Sequence, residues 1–167
     1  MTAPIIVTAL MGASDFAWAD GLRRAHFPPE RNVLPAHVTL FHHLPPSVLA
    51  ELAARLKRLC AGGPPDARLT EVVLLGRGVA YRIDSPALLA MRDELADAFS
   101  RLLTPQDQAR PRLHITVQNK VTPEEAKVLA AMLRRDFRPR PLAIAGLAAW
   151  YYRGGPWELA TKMMFRG

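Results

Sequence analysis

Two tetrapeptides carry the residue types that could do chemistry: His37-Val38-Thr39-Leu40 and His114-Ile115-Thr116-Val117. Each sets an imidazole and a hydroxyl two residues apart, and on a strand residues i and i+2 point to the same side. A pair of imidazoles suits acid–base work at neutral pH, one taking a proton as the free base and the other giving one as the imidazolium. Hydroxyls beside them donate to oxygens that gain negative charge during a reaction. Two such faces opposed across a cleft fit phosphoryl chemistry, which here needs no metal. Continued alternation adds Phe41 and His43 to the first face. It adds Gln118 and Lys120 to the second, with Asn119 turned away.

The stretch HVTLFHH, residues 37–43, also invites a metal site, because it holds three histidines. Neighbouring His42 and His43 must leave a strand on opposite faces, so at most one of them joins His37. The chain has no H-x-x-x-H, no H-E-x-x-H and only one cysteine, Cys60, so it lacks a ligand set with zinc-like spacing. Neither a metal nor an organic cofactor is expected. A single H-x-T on a strand is an ordinary structural feature, and its duplication is what asks for a function.

The duplication extends beyond the motif. A shift of 77 residues lays His37 on His114, Thr39 on Thr116, Pro46 on Pro123, Leu52 on Leu129, Ala53 on Ala130, Ala54 on Ala131, Leu56 on Leu133 and Arg58 on Arg135. Those are 8 identities over the 22 positions from 37 to 58, without a gap. The elements around the motifs repeat as well. IIVTALM reads as a buried strand, followed by an N-cap at Ser14-Asp15 and an amphipathic helix ending near His26. AHVTLFH alternates as a strand, and Pro45-Pro46 opens the helix VLAELAARLKRL. A hairpin, LTEVVLLG then VAYRI, bends near Gly76 and Gly78. In the second half, VAYRID is the first strand and Ser85-Pro86 caps a helix. LHITVQNK is then the motif strand, and Thr122-Pro123-Glu124-Glu125 a capping box. A hairpin turning at Gly154-Gly155 closes the chain.

These patterns predict an α+β fold: a bilobal, pseudo-two-fold duplication with two mainly antiparallel sheets, helices on the outside and a central cleft. The whole chain, 1–167, is read as one domain, with lobe-forming repeats of roughly 1–77 and 78–167.

Half of the 167 residues are hydrophobic and 22% are charged, which excludes a disordered chain. No apolar run reaches the ~18 residues of a membrane span, so no membrane partner is expected. The N-terminus lacks an early positive charge and does not read as a secretory signal. With only one cysteine besides, the expected compartment is the cytoplasm. Internal symmetry removes one reason to dimerise, so a monomer is expected. The net charge of +7 favours an anionic partner such as nucleic acid. That charge is spread, and RRDFRPRP at 134–141 is its one dense cluster, either a patch for an RNA backbone or a solvated helix end. Tyr81, Trp150, Tyr151, Tyr152 and Trp157 fall in the hairpins, where core packing is the first reading and base stacking the second.

At the two H-x-T-x tetrapeptides the sequence resembles the 2H phosphoesterase superfamily, and its length and layout are most similar to the bacterial 2′-5′ RNA ligase family, also described as RNA 2′,3′-cyclic phosphodiesterases. The resemblance covers nearly the whole chain. It implies metal-independent opening of a 2′,3′-cyclic phosphate, on an RNA end or a small nucleotide, to a 2′-phosphate, with ligation of 2′-5′ ends as a minor possibility. By the same analogy His37 and His114 share the acid and base roles and Thr39 and Thr116 hold the phosphate. His114 is taken as the base that activates water, and His37 as the acid that protonates the 3′ oxygen. Further basic and aromatic residues are expected around the cleft, for which Phe41, Lys120 and Arg112 are the candidates, with Gln118 facing it by alternation and Arg110 also beside the second motif; either arginine reads equally as a solvated loop charge. The competing expectation is a nucleotide- or RNA-binding module that keeps the cleft and lacks turnover.

Overall fold

The computed structural model describes residues 3–166. In chain order the elements are β1 (Ile5–Met11), α1 (Ala13–His26), β2 (Val38–Leu44), α2 (Leu49–Leu59), β3 (Arg68–Leu74), β4 (Val79–Asp84), α3 (Pro86–Ala98), α4 (Pro105–Gln108), β5 (His114–Gln118), α5 (Pro123–Asp136), β6 (Arg140–Pro141), β7 (Ile144–Tyr151) and β8 (Glu158–Met164). They form two four-stranded sheets, ordered β2-β1-β7-β8 and β5-β4-β3-β6, with every neighbouring pair antiparallel. This is the expected α+β architecture, with helices packed on the sheets: α1 on β5, α5 on β3 and α2 on β8.

The boundary drawn at residue 77 lies in the β3–β4 turn and does not divide the sheets. β3 belongs with β4 and β5, whereas β7 and β8 join β1 and β2. Each sheet thus takes its third strand from the other half of the chain, so the repeats interlock. In each sheet the motif strand, β2 or β5, lies at an edge next to the first strand of its own repeat.

Local chemistry explains the main elements. β1 is rich in β-branched and apolar residues and is almost entirely buried, as a strand covered on both faces requires. α2 buries Leu52 and Leu56, four residues apart on one face. α5 starts as expected: the Thr122 hydroxyl accepts from the Glu125 N–H (3.2 Å) and donates to Glu125 Oε1 (3.0 Å), with Pro123 at the first helical position. At α1 the cap differs from the expectation, since Gly12 is the N-cap and Ser14 lies inside the helix. The Asp15 carboxylate instead accepts from the Ala143 N–H and from Arg140 Nη1, both at 2.8 Å, tying the helix start to the β6–β7 connection. The β3–β4 turn is fastened to the second motif strand. A Cβ at Gly78 would meet the Gln118 carbonyl oxygen at 2.0 Å, so only glycine fits there.

Candidate active site

Both motif strands bulge at the same place. Thr8 pairs with Thr39 but Val7 with Phe41, so Leu40 is an extra residue on β2. Ala80 pairs with Thr116 but Val79 with Gln118, so Val117 is the extra residue on β5. These two positions are again 77 apart. A bulge resets which side the following residues face. The alternation read from the sequence therefore holds through Thr39 and Thr116 and fails beyond them.

The structure brings His37, Thr39, His114 and Thr116 to one cleft of about 610 Å³ between the sheets, together with Arg112. It does not bring Phe41, which is fully buried with the Arg92 guanidinium 4.1 Å over its ring. Gln118 is buried behind the bulge, and Lys120 is exposed on the turn before α5 with φ 63°. Neither lines the cleft, and neither does His43; His42 takes the place expected of His43.

The two histidines are held in the same way. His37 Nδ1 lies 2.8 Å from the Pro35 carbonyl oxygen, and His114 Nδ1 lies 2.8 Å from that of Arg112. A carbonyl only accepts, so each Nδ1 carries the proton and donates it, which leaves each Nε2 for a ligand. Their surroundings differ. His37 is half-buried, with the Trp157 ring 4.8 Å away, whereas His114 is exposed. Burial pushes the His37 imidazole down to about 4. The Pro35 bond works against this shift, while positive charge on Arg23, His114 and His42 adds to it.

Arg23 and Asp107 escape the sequence reading, whereas Trp157, Trp150 and Tyr81 are among the hairpin aromatics it names. Arg23, buried in α1, donates from Nε to Asn32 Oδ1 (2.8 Å) and from Nη1 to the Thr116 carbonyl (3.1 Å), linking the helix of one repeat to the motif strand of the other. Trp157 reaches from the turn just before β8 over His37, with Trp150 beside it at 6.3 Å. Tyr81 instead packs in the core against Trp18 and Phe137. Asp107, on α4, has an ionised carboxylate. Burial alone would raise its carboxyl, but hydrogen bonds from the His42 ring and from the amides of His42 and His43 outweigh burial and hold it low. Thr104-Pro105 repeats the cap-and-proline pattern of Thr122-Pro123, a signal that could have found α4. In the basic cluster, Arg134 bonds the Val72 carbonyl and Arg140 pairs with Asp15. None of the cluster lines the cleft.

Among the described residues, no group of three or more His, Cys, Asp or Glu side chains is placed to hold a metal ion. No described helix is long and apolar enough to cross a membrane.

Residues 13–156 match the family model of the 2′-5′ RNA ligase superfamily. No curated protein matches the sequence. Among solved structures, the chain is similar to TT0787 of Thermus thermophilus, with 16% identity, 98% of each chain covered and a TM-score of 0.61. A protein described as a phosphoesterase is 16% identical over the full length of both chains, with a TM-score of 0.63. Escherichia coli LigT complexed with 3′-AMP is 17% identical, again over both full chains, with a TM-score of 0.60.

Proposed function

The chain belongs to the 2′-5′ RNA ligase superfamily, and from that premise we propose that it is a metal-independent phosphodiesterase that opens 2′,3′-cyclic phosphates of RNA ends or nucleotides to 2′-phosphates. The observation that carries this reading is the pair of Nδ1-anchored histidines sharing one cleft with Thr39 and Thr116. The complex of LigT with 3′-AMP supports a nucleotide as ligand.

The reaction divides between the two motifs. A water oxygen attacks phosphorus as one Nε2 takes its proton. The P–O3′ bond breaks, and the departing oxygen receives a proton from the other imidazole. Thr39 and Thr116 donate to the non-bridging oxygens, whose negative charge grows in the transition state. His37, depressed to about 4, is a free imidazole at neutral pH in the empty cleft. That fits the base, so the roles taken from the resemblance are exchanged: His37 accepts the water proton and His114 protonates O3′. Water near 55 M favours hydrolysis over joining of 2′-5′ ends.

The test is turnover of a nucleoside 2′,3′-cyclic phosphate by purified protein in EDTA. His37→Ala and His114→Ala each lower the rate by about 10² or more, the scale of an acid–base residue. Unchanged activity in both variants refutes the reading. Binding without turnover in the wild type makes the protein a nucleotide-binding module instead.

A further inference from the structure

Along β2 the cleft changes character on either side of the His37–Thr39 pair. Beside His37 it adjoins an apolar hollow of about 410 Å³ with Trp150 and Trp157 in its wall. In the other direction, past Thr39, it reaches His42 and α4, and Arg112 lines the same cleft. Arg82 and Arg110 line the cleft too, but are already engaged by Glu71 (3.0 Å) and Asp93 (2.9 Å).

His42 is held by a built device. Asp107 is 1% exposed, and its carboxylate accepts from the His42 N–H at 2.9 and 3.0 Å, from the His43 N–H at 2.9 Å and from His42 Nδ1 at 3.1 Å. An ionised carboxylate only accepts, so the proton sits on Nδ1 and Nε2 is the atom left for a ligand. Arg92, buried behind, donates to the carbonyls of Leu40 and Asp107. His42 Nε2 donates to a phosphate only from the imidazolium, the form that a bound phosphate favours. Closing the free edge of β2 accounts for the two amide bonds. It does not account for the ring bond, nor for His42 and Arg112 both lining the cleft.

Resting on the cyclic-phosphate activity above, we propose that His42, held by Asp107, and Arg112 form a second phosphate subsite, so that the preferred substrates are cyclic-phosphate ends carrying at least one further phosphate. A bare nucleoside cyclic phosphate fills only the space between the two motifs.

Affinity and turnover test the two layers separately. Calorimetric titration compares adenosine 2′-phosphate with adenosine 2′,5′-bisphosphate, which differ by one phosphate. The wild type binds the bisphosphate about ten- to a hundredfold more tightly, the scale of charge-assisted hydrogen bonds. His42→Gln abolishes that preference and Arg112→Gln reduces it. Equal affinities in the wild type overturn the subsite. So does a His42→Gln protein that also loses affinity for adenosine 2′-phosphate, because His42 then serves the reacting phosphate. A His42→Gln protein that melts lower yet keeps the preference overturns it as well, leaving His42 a structural strap. Turnover of adenosine 2′,3′-cyclic phosphate is followed in parallel. Its absence sinks the activity, while the titration still reads the subsite.

Discussion

The two H-x-T strands are alike in sequence, bulge position and the anchoring of their histidines, yet they sit in different surroundings. β2 has Trp157 over its histidine and a buried carboxylate on α4 fastened to its free edge. β5 leaves His114 exposed and carries the Arg23 guanidinium on the Thr116 carbonyl. Burial lowers the proton affinity of His37, and on the proposed reading that is what fits it for the base role within a duplicated motif. Duplication supplies the residue pair, and the elements that do not repeat, α4 and the β7–β8 turn, supply the difference between its members.

The largest effect is expected from breaking the shared frame. Gly78→Ala drives a Cβ into the Gln118 carbonyl, displaces β5 and is expected to remove activity together with a cooperative melting transition near the wild-type temperature. Circular dichroism melts beside the cyclic-phosphate assay check it. Next in size, Thr39→Val and Thr116→Val each remove a donor to charged oxygen. About 1.5–3 kcal/mol, or ten- to a hundredfold in kcat, is expected from each. Similar losses fit the symmetric role given to the hydroxyls, and a large disparity breaks it.

Asp107→Asn probes the side that does not repeat. It weakens charged hydrogen bonds to the edge of β2 and is expected to lower stability by about 1–3 kcal/mol in urea melts. The wild-type carboxyl is held low in the folded state, so its contribution is present above the unfolded value near 3.9 and is lost as pH falls through the folded one. Below that pH the two proteins should converge. The smallest effect at neutral pH is expected from Trp157→Ala, which exposes His37 to water. With His37 as base, kcat/KM of the wild type rises as pH passes about 4 and is then level through His37's range. Opening its surroundings moves that limb up toward the ordinary 6.5. A wild-type limb that falls above pH 4 instead assigns His37 the acid role.

How far the sequence carried follows from where local patterning stops. The motif pairs, most helix and strand positions and both glycine turns depend on neighbours within a few residues, and these were legible. The bulges at Leu40 and Val117 depend on registers set by β1 and β4. Strict alternation therefore placed Phe41, Gln118 and Lys120 in the cleft and missed His42. The exchange of β3 and β7 between the repeats is a long-range pairing that no window of sequence contains. Asp15 has the composition of a helix cap, but its carboxylate is used on Ala143 and Arg140. Asp107 sits in a four-residue helix too short to show a period, and its partners lie 64 and 65 residues away.

The central claim is that the two halves of the chain bring their histidines to one phosphorus. Values of kcat/KM for His37→Ala, His114→Ala and the double variant test it most directly, because groups that act as a unit are strongly non-additive. The double variant is expected to fall within about tenfold of the worse single variant. Losses that multiply in full would contradict the claim and place the two histidines in separate events.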